Sequence, residues 1–389
     1  MKAPRSKFLS GKMRFFSEST IREMSHLAAE VGAVNLAQGA PDFPAPAQLK
    51  RAAVAAIKED HNQYETATGS QELREAIAAK VRRFNGFDVD ADDEVAITCG
   101  STEAVTAAMI AFTGPGDRVI VPEPFYESYI PATLLSGAKA VHFRLREPDF
   151  SLSEEDLKEA FSERPKVIVL NTPNNPTGRV LSRKELGLVA DLCEDYDVIA
   201  VTDEIYEHIV YDGNRHVSLA SLGGMHERTV TVSSLSKTFS VTGWRIGYAV
   251  AERNLTWGLS TVRDYLTVCA PTPLQRAAVA AFALPDSYYR DLVATYDRKR
   301  VYMLESLEEL GFSFFRPEGA YYILADFSGI SKLDDVAFAR HLARDVGVAA
   351  VPASSFYANR EGGRSQVRFA FTKKDATLKE AVRRMRKNL

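Results

Sequence analysis

The chain has 389 residues, 46% of them hydrophobic and 25% charged, with a formal net charge of −3. That length suits one large core with a smaller satellite, and the composition is that of an ordinary globular protein. The near-neutral balance excludes a broad electrostatic footprint for nucleic acid or anionic membrane, so any bound anion must be held by a few placed groups.

Taken from the N-terminus, residues 1–13 are basic and lack the apolar run of a signal peptide. Leu36-Ala-Gln-Gly-Ala-Pro-Asp-Phe-Pro is too rich in Gly and Pro for an element interior and reads as a turn lining something. From about residue 46 to about residue 275, short β-branched runs alternate with helical patterns. Strand candidates fall at 95–98, 119–121, 167–170, 198–202, 229–232 and 245–250, with helices such as 102–112 and 184–196 between them. Ser182 with Glu185 makes a capping-box pattern, and Ser153 with Asp156 a similar start signal. Alternation of this kind predicts an α/β fold whose mostly parallel sheet is covered on both faces. Beyond roughly residue 284, helices at 288–310 and 333–346 alternate with strands at 319–326 and 366–371, which suits a smaller α+β domain.

The expected division is therefore an N-terminal arm, 1–45, that contributes to the small domain, a large domain, 46–284, and a small domain, 285–389. Cys99, Cys193 and Cys269 show neither a CxxC pair nor metal-ligand spacing, so they read as ordinary buried thiols of a reducing compartment, and no metal is expected. No segment approaches the ~18 apolar residues of a membrane span. The expected location is the cytoplasm.

The informative residues lie where strands end. The run at 95–98 leads into Cys99-Gly-Ser-Thr-Glu, 119–121 into Pro122-Glu-Pro-Phe-Tyr, and 167–170 into Asn171-Thr-Pro-Asn-Asn-Pro-Thr-Gly. The next two lead into Asp203-Glu-Ile-Tyr and Ser233-Ser-Leu-Ser-Lys. In a parallel sheet these carboxyl ends share one edge, where such folds bind ligands. Ser101, Tyr126, Asn175, Asp203, Ser234 and Lys237 are thus expected to converge.

That set matches the needs of a phosphorylated pyridine aldehyde. Lys237 can form an imine with the aldehyde, and Asp203 can keep the ring nitrogen protonated as an electron sink. Tyr206 and Asn175 can donate to the phenolic oxygen. Ser101 and Thr102, opening a helix, with Ser234 and Arg245, can hold the phosphate. Either Tyr126 or its neighbour Phe125 can stack on the ring. Each residue alone has an ordinary reading as a turn former, cap, surface ion or core aromatic; only the joint pattern overturns it.

Ser-Leu-Ser-Lys-Thr-Phe-Ser-Val-Thr-Gly-Trp-Arg-Ile-Gly (234–247) resembles the lysine signature of the class I/II aminotransferases, fold type I of the pyridoxal-phosphate enzymes. Asn-Asn-Pro-Thr-Gly (174–178) and Asp-Glu-Ile-Tyr (203–206) resemble the family's two other hallmarks, and the spacings agree: 28 residues from Asn175 to Asp203, 34 on to Lys237 and eight to Arg245. The loop at 35–44, Asn62-Gln-Tyr, Glu123-Pro-Phe-Tyr, Ala270-Pro-Thr-Pro-Leu-Gln and Ser354-Ser-Phe-Tyr look closest to the glutamine–phenylpyruvate, methionine and kynurenine aminotransferase branch, with Ala40 where that branch has Phe.

The resemblance implies a seven-stranded sheet sandwiched by helices, pyridoxal 5′-phosphate on Lys237, and catalytic roles for Lys237, Asp203 and Tyr206. It further implies Arg368 as the clamp for the substrate α-carboxylate, with Gly39 and Asn175 beside it. Tyr64 would reach the cofactor phosphate of a partner subunit, making the enzyme a homodimer with shared sites. The substrates would be amino acids and 2-oxo acids exchanged in ping-pong fashion. Thr102 occupies the loop position where dicarboxylate-specific relatives carry a basic residue, and residues 266–274 hold no Lys or Arg. Uncharged side chains (aromatic, Met, Gln or Leu) are therefore expected, although Arg263 and Arg276 flank that stretch. The alternatives are a cysteine-conjugate β-lyase on the same fold and an aminotransferase-like effector-binding regulator. The forty residues before the core are too few and too weakly basic for the latter's DNA-binding segment. No strand leads into the GxGxxG of a nicotinamide dehydrogenase.

Overall fold

The computed structural model describes residues 8–389, so the first seven residues of the arm expected at 1–45 lie outside it. A seven-stranded sheet is formed by β1 (Val95–Thr98), β2 (Arg118–Ile120), β3 (Lys139–Val141), β4 (Val167–Asn171), β5 (Ile199–Asp203), β6 (Thr229–Ser234) and β7 (Gly247–Val250). Their order is β1-β7-β6-β5-β4-β2-β3, and β7 alone runs antiparallel to its neighbours.

Both faces are apolar because successive strand residues point opposite ways. On β4, Val167 and Val169 pack into the cluster under α2 (Ser101–Phe112), with Val105, Ala108 and Leu259. Ile168 and Leu170 face the other side, against Leu186, Val189 and Cys193 of the helix Arg183–Tyr196. The predicted capping box starts that helix: Ser182 Oγ accepts the Glu185 N–H at 3.2 Å and the Glu185 carboxylate accepts the Ser182 N–H at 2.7 Å.

The C-terminal part builds an antiparallel sheet in which β8 (Tyr322–Asp326) and β9 (Gln366–Ala370) pair, with Arg368 opposite Leu324. Val34–Asn35 pairs with Val348–Ala349, which brings the N-terminal loop beside this sheet. One hydrophobic cluster continues from Met24 through Ile168 and Leu304 to Met385, so the two sheets share a core.

Several expectations change at their edges. The run expected as a strand at 245–250 begins only at Gly247, because Arg245 adopts φ 55°, in the left-handed region that a strand cannot contain. Strand 198–202 shifts by one residue, making Asp203 the last residue of β5. The helix expected at 333–346 is helical over Asp335–His341 and closes in a π-turn, Leu342–Val346, before Gly347. Among the cysteines only Cys193 is buried. Cys99 and Cys269 are half-buried, since both sit in connecting turns outside the packed layers, with Cys99 Sγ 3.9 Å from the Cys269 carbonyl oxygen. No helix among the described residues is long and apolar enough to cross a membrane.

Beside the carboxyl edge lies a buried ion pair. Lys80 Nζ is 2.5 Å from Glu207 Oε2, and both side chains are 3% exposed. Burial raises the Glu207 carboxyl, but the Lys80 ammonium, its hydrogen bond and the nearby His208 and His216 together hold the group far below the usual carboxylate range. Ser233 on β6 and Tyr248 on β7 also donate to Glu207, at 2.9 and 3.3 Å, so the pair ties the helix Gln71–Lys80 to two strands. Lys80→Met leaves a buried carboxylate without its counter-ion and is expected to destabilise the protein by about 3–5 kcal/mol in urea titration. Lys80→Met with Glu207→Leu, which removes both charges, is expected to recover part of that loss.

Candidate active site

A cavity of about 850 Å³ opens at the carboxyl edge of the sheet. Gly39, Ser101, Thr102, Tyr126, Asn175, Asp203, Tyr206, Lys237, Arg245 and Arg368, all singled out in the sequence, line it. Two do not: Ser234 is buried behind it, its hydroxyl accepting the Ser236 N–H at 3.1 Å, and Tyr64 is 81% exposed elsewhere on the surface. Ser236, the second serine of the same motif, lines the wall instead. Of the aromatic neighbours, Tyr126 lines this cavity, whereas Phe125 is buried away from it against the His142 ring.

Asp203 ends β5 with its carboxylate 2.8 Å from the Tyr129 hydroxyl and 3.3 Å from the Ile205 N–H. Its backbone oxygen accepts from Asn171 Nδ2 at 2.8 Å, and Asn171 Oδ1 in turn accepts the Asn175 N–H at 2.7 Å, which fixes the loop after β4. Burial pushes the Asp203 carboxyl up to about 6, against the Tyr129 and Ile205 hydrogen bonds and the nearby Lys237 ammonium. Such a group is ready to gain from a cation placed beside it.

Lys237 sits on the short helix Leu235–Thr238 and donates to the Gly39 carbonyl at 3.1 Å. Burial, reinforced by the positive charges of Arg368 and Arg245, lowers its pKa, while Tyr322 and Asp203 oppose the shift. That direction makes the amine easier to deprotonate than a solvated lysine. Gly39 also accepts from the Tyr321 hydroxyl at 2.9 Å, and a Cβ at Gly39 would stand 1.9 Å from the Tyr322 hydroxyl oxygen. Only glycine fits there. The Tyr322 hydroxyl is 3.0 Å from that of Tyr206, so the ring that excludes a side chain at Gly39 also positions Tyr206.

At one end of the cavity, Arg245 donates to the carbonyls of Thr242 and Cys99 at 3.0 and 3.3 Å. Gly100 has φ +77°, and a Cβ on it would lie 2.3 Å from Arg245 Nη2. The guanidinium and the first N–H groups of α2, which have no intrahelical acceptor, thereby form one anion cradle. At another wall, Arg368 is fully buried, donating to Asn175 Oδ1 at 2.7 Å and to the Ala37 carbonyl at 2.6 Å. Its guanidinium carbon lies 4.3 Å from the Tyr322 ring centroid, and its Nε has no acceptor among the described residues. A buried donor left open in this way fits an incoming carboxylate. Cradle, carboxylate and amine together fit a phosphorylated pyridine aldehyde.

Several lining residues carried no warning in the sequence. Tyr129 lies three residues past Tyr126 and could have been suspected from that spacing; Tyr322 follows a Gly-Ala-Tyr turn of the small sheet. Ser19, Ile21, Arg22, Ser25 and His26 reach the cavity from the start of α1 (Thr20–Val31), a segment with no motif at all.

The raised Asp203 carboxyl has a consequence for the cofactor-free protein. The folded chain holds this proton more tightly than the unfolded chain, so stability falls as pH rises from about 4 to about 6. Two units correspond to about 3 kcal/mol of opposition to folding at neutral pH. Asp203→Asn is expected to raise the melting temperature of the apo protein at pH 7.5, with a gap that narrows toward pH 5. A variant that melts below wild type at pH 7.5 would contradict this.

The family model for aminotransferase class I and II matches residues 31–385. The probable N-succinyldiaminopimelate aminotransferase DapC of Mycobacterium tuberculosis is 39% identical, over 96% of this chain and 97% of that protein. The methionine aminotransferase of Escherichia coli is 37% identical over 94% of each. The solved N-succinyldiaminopimelate aminotransferase structure from M. tuberculosis superposes with a TM-score of 0.95 at 38% identity, covering 97% of this chain and 99% of that one. With a seven-stranded α/β core of the same fold and this match over nearly its whole length, the chain belongs to the class I and II aminotransferases, transferases that work with pyridoxal phosphate.

Proposed function

We propose that this aminotransferase takes its amino group from amino acids with uncharged side chains, aromatic, Met, Gln or Leu-like, and passes it to a 2-oxo acid. The observation that carries the donor class is the state of the two arginines beside the 266–274 stretch. Arg276 is spent on Glu65, at 3.0 Å, and on Glu72. Arg263 is wholly buried and does not line the cavity. The Arg263 guanidinium has no hydrogen-bond partner among the described residues, but it lies off the cavity wall; Arg276 is held by its two glutamates. The methionine aminotransferase among the relatives supports the same class.

Bound pyridoxal phosphate supplies an electron sink for the charge left on the substrate carbon when its proton departs. Around it, the Arg245 guanidinium and the N–H groups of Ser101 and Thr102 would hold the phosphate, with Ser234 keeping Ser236 in line beside them. Asp203 would hold the proton on the ring nitrogen, Tyr206 and Asn175 would donate to the phenolic oxygen, and Tyr126 would lie against the ring. Arg368 would clamp the substrate α-carboxylate, with Gly39 giving the backbone close access. The Lys237 amine would hold the aldehyde and, as a free amine, would carry the proton that leaves the substrate α-carbon.

The division into an arm (1–45), a large domain (46–284) and a small domain (285–389) belongs to this reading, as does a reducing, cytoplasmic setting for the three free thiols. So does a homodimer in which Tyr64 serves the partner's phosphate. Its support is exposure: Tyr64 is 81%, Tyr265 88% and Trp257 71% exposed, a costly set of aromatics for a chain that stays alone.

Absorbance changes of the holoenzyme on mixing with an amino-acid panel test the donor class. Methionine, phenylalanine, glutamine and leucine are expected to react faster than aspartate, and the reverse order would refute it. Lys237→Ala is expected to lose turnover by several powers of ten while still binding cofactor. Mixing Tyr64→Phe with Lys237→Ala subunits gives heterodimers in which both lesions fall on one site and the other site is whole. Activity is then expected to exceed that of either mutant homodimer; mixtures no better than their parents would refute the shared site.

A further inference from the structure

Resting on the carboxylate-clamp reading above, we propose that Lys373 is a positioning residue for the substrate. By holding the Ala40 carbonyl from behind the loop, it fixes the Gly39 N–H as a second donor, beside Arg368, for the α-carboxylate.

Residues 36–40 belong to no helix or strand, yet each of their carbonyl oxygens is taken. Leu36 accepts the Ala370 N–H at 2.8 Å, Ala37 the Arg368 guanidinium at 2.6 Å and Gln38 the Ala40 N–H at 2.9 Å. Gly39 accepts from Lys237 and Tyr321, and Ala40 accepts from Lys373 Nζ at 2.7 Å. The donors are nearly all engaged too: the Leu36 N–H with the Ala349 carbonyl, those of Ala37 and Gln38 with Asn35 Oδ1. Gly39 alone keeps an N–H with no acceptor among the described residues, and Gly39 lines the cavity. A loop pinned at every other polar group offers that one donor in a fixed place.

Lys237 would release the Gly39 carbonyl on taking up the aldehyde, so in the loaded enzyme the turn at 39–40 rests on Tyr321 and Lys373. Lys373 is only 7% exposed and does not line the cavity. Its backbone is fixed in turn. Lys299 Nζ donates to the Lys373 carbonyl and to Asp375 Oδ1, at 2.5 and 2.6 Å. The Asp42 carboxylate accepts from the Lys374 N–H and the Thr377 hydroxyl, which ties the far end of the loop to the same segment. Burial lowers the Lys373 pKa, with Asp42 opposing the shift and Lys237 reinforcing it. A buried ammonium with a single hydrogen-bond acceptor is costly to the fold, and the loop it holds accounts for its place there.

A carboxylate met by a guanidinium and a backbone N–H together is fixed in rotation as well as in position. Loss of Lys373 frees the backbone at 39–40 and leaves Arg368 intact. It therefore weakens capture of carboxylates and spares ligands that have none. A residue that only stabilised the fold would weaken both alike.

The test uses holoenzyme with Lys373→Met, which keeps the length of the side chain without its donor, and with Lys373→Arg and Arg368→Gln. 4-Methylpentanoate, an unreactive carboxylate, is titrated by calorimetry. 3-Methylbutylamine, of similar shape with an amine and no carboxylate, is titrated through the absorbance of the cofactor. Lys373→Met is expected to weaken 4-methylpentanoate binding and raise the KM of the amino donor by about ten-fold, with kcat held within about three-fold and amine binding within about two-fold. Lys373→Arg, which restores a cationic donor, is expected to lose about three-fold in carboxylate binding and nothing in amine binding. If Lys373→Met does not fold, the ratio of carboxylate to amine affinity in Lys373→Arg decides. Equal weakening of both ligands, or no weakening of the carboxylate, would overturn the proposal. Arg368→Gln reads the clamp separately. Unchanged carboxylate binding in that variant refutes the clamp itself, whereas loss there with wild-type binding in Lys373→Met refutes the positioning role alone.

Discussion

The buried guanidinium of Arg368 holds the site together. It comes from a strand of the small sheet, bonds to the loop after β4 through Asn175, and bonds to the N-terminal loop through Ala37. Three stretches of chain that are remote in sequence therefore meet on one charge. Burying such a charge is expensive unless its donors are satisfied, and the flat faces of Tyr322 and Phe356 beside it offset only part of the cost. The remaining Nε has no acceptor among the described residues. The side chain that ties these three stretches together is the one proposed to clamp the substrate.

The same economy applies to the other charged groups at the edge of the sheet. Asp203 is raised by burial and Lys237 lowered by it, so each is held away from its comfortable protonation state. Fold stability is given up at the one place where a ligand with a complementary charge pattern can return it. Glu207, four residues past Asp203, is by contrast matched by Lys80, and that pair does structural work alone.

Much of this was legible in the sequence, for identifiable reasons. The strands β1, β4 and β6 are β-branched runs ending in small or polar residues, so the sequence itself points to a common edge at their carboxyl ends. Asn175, Asp203 and Lys237 lie at or just past the ends of β4, β5 and β6, Arg245 lies just before β7, and their fixed spacings carried the assignment to a family. β3 was missed because it is a three-residue edge strand whose residues are only partly covered, leaving no hydrophobic signature. Tyr322 and Tyr129 were missed because a tyrosine in an apolar run looks like core. Arg22 was illegible in principle: a charged residue in the first turn of an amphipathic helix is what any surface helix carries, and only folding brings that helix to the cavity rim.

The reversed direction of β7 matters for how the site keeps its dimensions. In a purely parallel sheet, groups at one edge arrive on separate crossovers, and their separation drifts as helices repack. Here Lys237 follows the end of β6 and Arg245 precedes the start of β7, and those two strands are hydrogen-bonded neighbours. The connection 235–246 therefore carries both the Lys237 amine and the Arg245 guanidinium, with its two ends anchored on the paired residues Ser234 and Gly247. The distance between their backbones is set within that span, and the Gly39 and Cys99 carbonyls then fix the two side chains. Helices in this protein can be lengthened or exchanged without detuning that interval, whereas a single inserted residue between 237 and 245 would detune it at once.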